Sequence, residues 1–388
     1  MALLCLVLAP RSRAAEAPAA ARPIATRDVS FSLEVQHAID RGLAWLASHQ
    51  NSNGWWSTPD HPAVTALALM AWAGRPEDSP GRAPAGLRRG YDFLLQCVQP
   101  DGGIHRSNLV TYNTALSMMA LLAAREPAYE STIRRARRFL VGLQSDFGEK
   151  GRADDVFDGG IGYGTKYSHS DMGNTLAALE ALHYSRHLAR DRHAGEPDLN
   201  WEAAIRFLQN CQNLPAYNKQ DWVSDDPKHR GGFIYYPGHS MAGAETNAAT
   251  GRVALRSYGS ISYGGMLSYI YAQLPPEDPR VRAVFDWLRA NYTLDENPGM
   301  GPQGRYFYFH TMAKALTAAG VTDLELRDGR RVPWRRELAM KLLNLQQPDG
   351  SWINTEHARW WEKDPALVTS YAVLALEMIH RGGVALQP

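Results

Sequence analysis

At 388 residues the chain is longer than one hydrophobic core usually fills, and 41 Lys+Arg against 40 Asp+Glu leave a net charge of +1. That balance argues against a nucleic-acid partner, which needs a basic surface, and against polybasic attachment to a membrane. Aromatic residues make up 10%, with 11 Trp and 17 Tyr, enough for a packed core or an aromatic-lined cavity.

The N-terminus carries a short apolar run, Ala2 to Ala9, far below the roughly 20 residues that span a bilayer. Ala15-Glu16-Ala17 fits a small-x-small cleavage pattern, and Ala-rich sequence follows. Residues 1–22 therefore read as a signal peptide and Ala/Pro-rich leader, which implies export to the periplasm or the exterior. Against it, no basic residue precedes the run and Pro18 would follow the cleavage site; a disordered Ala/Pro tail is the alternative. Cys5 precedes any plausible cleavage site. Cys97 and Cys211 remain, in different repeats and without a CxxC, and read as free, buried small hydrophobes. No later stretch is long and apolar enough to be transmembrane.

Two kinds of helix then alternate along 30–383, a single expected domain. The first kind is amphipathic: Glu34 to Gln50, Gly86 to Val98, Ser131 to Ser145, Trp201 to Gln212, Pro279 to Tyr292 and Pro333 to Gln346. Ile133, Phe139, Leu140 and Leu143 stand at helical spacing against Arg134, Arg135 and Arg138. Pro279 and Pro333 suit first-turn positions. The second kind is apolar nearly all round: His61 to Gly74, Leu109 to Ala124, Asp171 to Ser185, Gly259 to Leu274, Tyr306 to Gly320 and Pro365 to His380. Such helices are buried on every side. The order is outer helix, turn, inner helix, about six times over. Neither the first nor the last inner helix has the polar face of a solenoid cap. The expected fold is all-α, an (α/α)6 toroid.

Two connections are long, Asp146 to Ser170 and Asn213 to Tyr258, and loops of that length are functional or disordered. The second holds Trp222, Phe233, Tyr235 and Tyr236; its first half is expected to be ordered over one mouth of the ring, and Ser240 to Thr250 reads as mobile.

A phrase recurs after the outer helices. Leu345-Gln346-Gln347-Pro348-Asp349-Gly350-Ser351-Trp352 is its fullest copy, Gln96 to Gly103 repeats its Pro-Asp-Gly, and His49 to Trp56 is looser. Degenerate copies pair Gln144 with Asp158 to Tyr163, and Gln212 with Gly231 to Tyr236. The glycine supplies a turn conformation closed to other residues, and the Gln amide can bond free carbonyls at a helix end.

These repeats resemble those of squalene and other triterpene cyclases and, more weakly, of protein prenyltransferase β subunits, over about Phe31 to His380. The resemblance implies the toroid and leaves the chemistry open. It directs attention to an Asp-x-Asp-Asp acid, which in the cyclases protonates a polyene. The chain has none; Asp225 and Asp226 are the nearest candidates for catalysis, with an ordinary turn pair as the alternative. In the prenyltransferases an Asp, a Cys and a His bind zinc. His310, in Arg305-Tyr306-Phe307-Tyr308-Phe309-His310, matches the zinc His, but no Asp or Cys stands at Tyr258 to Gly265. No metal and no cofactor are therefore expected. His310 is kept as a catalytic candidate, with a hydrogen-bonded buried His as the alternative. His169, His183, His187 and His193 read as surface residues.

Tyr112, Asn113, Asp171, Tyr263 and Tyr308, near the starts of inner helices, would gather round one mouth if the ring closes, joined by Tyr235 of the long loop. They are the candidate substrate-binding groups, against a reading as N-caps and first-turn residues. The expected partner is an apolar small molecule or lipid. Three functions remain open: a metal-independent terpenoid-cyclase-like enzyme acting on an isoprenoid in an apolar central cavity; a non-catalytic exported toroid that binds a lipid, glycan or protein segment; and a carbohydrate-active toroid using Asp154, Asp155, Asp225 and Asp226. A deep aromatic pocket would favour the first, a plugged centre the second, and facing carboxylates the third.

Overall fold

A computed structural model of the chain describes residues 29–77, 79, 84–165, 169–189, 195–246 and 251–382; the proposed export segment lies outside them. The helices are α1 (Val29–Ser48), α2 (Pro62–Ala73), α3 (Gly86–Gln96), α4 (Val110–Ala123), α5 (Glu130–Gly142), α6 (Met172–Tyr184), α7 (Arg186–Ala189), α8 (Trp201–Cys211), α9 (Gly259–Tyr271), α10 (Pro279–Ala290), α11 (Arg305–Ala318), α12 (Trp334–Leu345) and α13 (Pro365–His380). All twelve long ones fall within a few residues of the expected spans. Their starts are fixed by local chemistry: Asp171 accepts from Asn174 N, Asn200 from Ala203 N, and Asp364 from Ala366 N. Pro279 and Pro365 occupy first-turn positions, whereas Pro333 sits at the cap before α12.

The apolar helices α2, α4, α6, α9, α11 and α13 form the inner set. Each packs on the next in that order, and α13 packs back on α2. The amphipathic α1, α3, α5, α8, α10 and α12 lie outside them. Among the described residues no helix is long and apolar enough to cross a membrane.

The recurring phrase is the joint between successive pairs. Gln346 Nε2 donates to Gly350 O and to Ala38 O of α1, both at 2.9 Å. Gln50 makes the same pair of bonds to Gly54 and Gly86, Gln144 to Gly159 and Asn200, and Gln212 to Gly231 and Arg280. One amide thus satisfies the carbonyl of its own turn and one on the next outer helix, at or near its start for α3, α8 and α10 and mid-helix, at Ala38, for α1. Gly350 has φ +95, and a Cβ there would lie 2.7 Å from Arg41 O on α1. Gly54, Gly102, Gly159 and Gly231 are left-handed in the same way, against α3, α5, α8 and α10. Only glycine combines that conformation with so close a backbone approach. A further regularity was not foreseen: Thr65, Thr114, Thr175, Ser262 and Thr369, one on each of five inner helices, accept from the backbone N–H of Trp56, Ile104, Ile161, Phe233 and Trp352. The last joint treats α1 as the next outer helix in the series.

The structure is helix-rich with few strands, in keeping with the all-α expectation. Two short antiparallel hairpins are present, β1 (Ala244–Thr246) with β2 (Val253–Leu255) and β3 (Leu324–Glu325) with β4 (Arg331–Val332). Insertions of this length carry backbone polar groups that must pair, and a hairpin pairs them locally. Part of the segment from Ser240 to Thr250, expected to be mobile, is therefore β1; its residues 247–250 lie outside the described residues. The rest of the long loop is tied down by Asn213, whose Nδ2 donates to Leu255 O and Ser257 Oγ. Cys97 and Cys211 are free and buried, as expected.

One buried charge has no ordinary structural use. Glu377, on α13, is 1% exposed, and neither carboxylate oxygen has a hydrogen-bond partner. Burial raises its pKa well above the usual value, with Arg381 opposing. The folded state then binds a proton that the unfolded state releases, so stability falls as pH rises above about 4.5. Glu377→Gln is expected to stabilise the chain at pH 7 by about 1–3 kcal/mol and to be near neutral at pH 4. Urea unfolding at the two pH values checks this; equal effects at both would refute it.

Candidate functional site

The six inner helices enclose a cavity of about 30 Å³ to which each contributes: Leu67 from α2, Tyr112 from α4, Glu180 from α6, Leu267 from α9, His310 from α11 and Tyr371 from α13. Phe307 and Lys314 complete its polar and aromatic wall. The space suits roughly two waters. Ligand pockets for drug-sized molecules are about ten times larger.

The wall is filled by paired side chains. The hydroxyls of Tyr112 and Tyr371 are 2.8 Å apart. Burial pushes the Tyr112 phenol up to about 12 and raises Tyr371 well above its usual value. His310 stacks on Tyr371, centroids 5.2 Å apart. Burial, and then the Lys314 ammonium, hold the His310 pKa well below its usual value, so the imidazole is neutral at pH 7; its Nδ1 has no hydrogen-bond partner. Lys314 Nζ lies 2.8 and 2.9 Å from the two oxygens of Glu180. The cavity holds a neutral base, two phenols and a closed ion pair.

Of the residues expected to act, His310 and Tyr112 meet here. Asn113 accepts from Ala63 N at 3.1 Å and braces α4 against α2. Asp171 is buried as the cap of α6, bonded to Asn174 N at 2.9 Å and Asn174 Nδ2 at 2.7 Å; burial raises its pKa, while the bonds from Asn174 and the Tyr235 hydroxyl oppose the rise. Tyr235 also meets Tyr163, hydroxyl to hydroxyl, at 3.0 Å. Tyr263 and Tyr308 pack together between α9 and α11 at 5.7 Å, and Tyr308 donates to Thr293 O.

The loop carboxylates are not gathered at the cavity. Asp225 is exposed and 3.9 Å from Arg252. Asp226 accepts from Lys228 N, and its own N–H donates to Ser224 Oγ, which is turn chemistry. Asp154 and Asp155 accept backbone N–H groups of their own loop. His183 bonds Tyr271 O, and His193 lies outside the described residues. No group of three or more His, Cys, Asp or Glu among the described residues could hold a metal ion.

Glu180 and Lys314 were not among the expected site residues. The available signal was a lone charge in an otherwise apolar helix, Leu179-Glu180-Ala181 and Ala313-Lys314-Ala315. Such a residue must find its partner on another inner helix.

The segment Asn354 to Asp364 bridges the N-terminal ends of α11 and α2 and is called the strap. Glu362 is 1% exposed and accepts from Tyr306 N at 2.8 Å, Phe307 N at 2.9 Å and Asn354 Nδ2 at 2.7 Å. It caps α11 from outside the helix. Arg359 donates to Gln303 Oε1 at 2.7 Å and reaches Met241 Sδ at 3.3 Å. Trp361 meets His61 edge-on at 4.3 Å, on the other side.

No protein-family model and no curated protein sequence matches the chain. Solved structures do. The type II terpene cyclase MstE from Scytonema, in complex with geranylgeranyl dihydroxybenzoate, is 12% identical with a TM-score of 0.51, covering 91% of this chain and 99% of its own. Candida albicans protein geranylgeranyltransferase-I, complexed with GGPP, is 12% identical with a TM-score of 0.53, covering 88% and 90%. An alpha-1,6-mannanase of Salegentibacter in complex with alpha-1,6-mannotriose is 12% identical with a TM-score of 0.53, covering 90% and 99%. Three different chemistries share this arrangement of helices, so the likeness speaks of fold and not of reaction. The chain has the helical fold found in type II terpene cyclases and protein prenyltransferases.

Proposed function

We propose that this chain is a closed (α/α)6 toroid of terpenoid-cyclase type that acts as a non-catalytic, exported binding toroid, taking its ligand at the mouth and not in the centre. The observation that carries the reading is the small central cavity: the pocket lined by all six inner helices holds about 30 Å³, where an isoprenoid would need several hundred. The cyclic packing of the inner helices supports ring closure. The polar groups at the centre also suit support better than proton donation to a polyene. His310 is neutral and Glu180 is paired with Lys314, while Asp225 and Asp226 are engaged in the long loop. Tyr112 and Tyr371, both in the cavity wall, bond each other.

The test is incubation of the purified chain with squalene and with a geranylgeranyl-bearing phenol, followed by mass analysis of products and their retention times. Unchanged substrate is the expected result. A cyclised isomer that forms with the natural chain and disappears with His310→Ala would overturn the reading in favour of an isoprenoid enzyme.

A further inference from the structure

The strap contains the least expected backbone in the chain. Trp360 and Trp361 are consecutive, both left-handed at φ +56 and +65, and both exposed, at 40% and 45%. Left-handed backbone is strained for bulky side chains, and large exposed indoles are uncommon outside binding surfaces. The orientations of both rings are set by protein contacts. The Arg359 guanidinium lies 4.6 Å from the centroid of the Trp360 ring. An edge of the same ring abuts Gly304, where an added Cβ would come within 2.9 Å of it. His61 holds Trp361 from the side, and Ser107 Oγ in turn holds His61 Nδ1 at 3.1 Å.

We propose that Trp360 and Trp361 form a ledge on which a neutral oligosaccharide stacks. A pyranose presents a flat face of C–H groups, which carries partial positive charge and matches the negative face of an indole. Its equatorial hydroxyls need donors and acceptors at the edges of the platform, and His61, Ser107 and Arg359 stand there. With Glu362 buried, the remaining charges of the segment balance, Glu356 and Asp364 against Arg359 and Lys363, which favours an uncharged ligand. A bilayer surface fits less well, because inserting these indoles would carry Arg359 and its bonds to Gln303 and Met241 toward hydrocarbon. A site of this kind needs no space inside the ring.

The inference rests on the reading of the chain as a binding toroid, and the two fail separately: cyclised product sinks that reading, whereas absence of sugar binding sinks only this one. The experiment is calorimetric titration of the full chain with α-1,6-mannotriose and with cellotetraose. We expect saturable binding of at least one sugar with a Kd of about 1 mM or tighter. Trp360→Ala/Trp361→Ala should weaken it at least about tenfold with an unchanged urea midpoint. Trp361→Ala alone, removing the more exposed ring, should weaken it in the same direction, and Trp361→Phe should keep most of it. No heat from either sugar at about 10 mM, or equal affinity in the natural chain and both alanine variants, would overturn the proposal. So would Trp-dependent sedimentation with phosphatidylcholine vesicles in the absence of sugar binding.

Discussion

Trp352→Ala is expected to lower the stability of the chain by about 3–5 kcal/mol, the range for truncating a fully buried large aromatic. Trp352 is completely buried at the joint where the last repeat meets the first. Its Nε1 donates to Leu342 O of α12 at 2.8 Å, and its backbone N–H to Thr369 Oγ1 of α13 at 3.0 Å. Its ring lies against Gly42 of α1, where an added Cβ would come within 2.8 Å of it. Three helices therefore lose one shared partner, and the glycine opposite cannot fill the gap. Urea unfolding followed by far-UV circular dichroism measures the loss, with Trp360→Ala as the exposed control. Equal midpoints for the two variants would show that the joint does not hold the ring together.

Lys314→Met is expected to cost about 3 kcal/mol at pH 7, because it leaves Glu180 as an unpaired charge in the ring centre. The side chains are 19% and 11% exposed, and the cation touches both carboxylate oxygens. Tyr112, His310, Leu116 and Leu176 line the same cavity, and the His310 imidazole, held neutral by burial, supplies no second cation there. Adding Glu180→Gln to Lys314→Met should recover most of the loss, since the charge without a partner is then gone. That sign pattern separates a coupled pair from two independent contributions to packing. Thermal and urea unfolding of the two singles and the double give the coupling. A double variant no more stable than Lys314→Met would refute it.

Both variants bear on the proposed function. A centre stabilised by a Tyr112–Tyr371 bond and a Glu180–Lys314 pair is built to stay filled. An enzyme of the same fold that admits a polyene has to leave that space open. If Lys314→Met disturbs stability and leaves sugar binding at the strap unchanged, the centre and the mouth are separate in function.

The amino-acid sequence by itself determined the helices and their order. The period of apolar residues separates an amphipathic outer helix such as α5 from an all-apolar inner one such as α13, because each period reports how many sides of a helix meet water. Gln346, Gly350 and Trp352 marked the joint, since a left-handed turn and a free carbonyl impose their own residue types. His310 and Tyr112 were legible as polar groups near the starts of inner helices. What only the tertiary structure decided is which polar groups meet. Asp225 and Asp226 are adjacent in sequence and carried the strongest chemical suggestion, yet the loop spends them on turns and a surface pair. Glu180 and Lys314 lie 134 positions apart, and only the order in which α6 and α11 pack around the ring brings them together. The volume of the centre was likewise invisible, because it is set by how six helices interdigitate and not by any one of them. The left-handed pair Trp360-Trp361 stands beside Glu362, which caps α11, a conformation that no local propensity of two tryptophans could reveal.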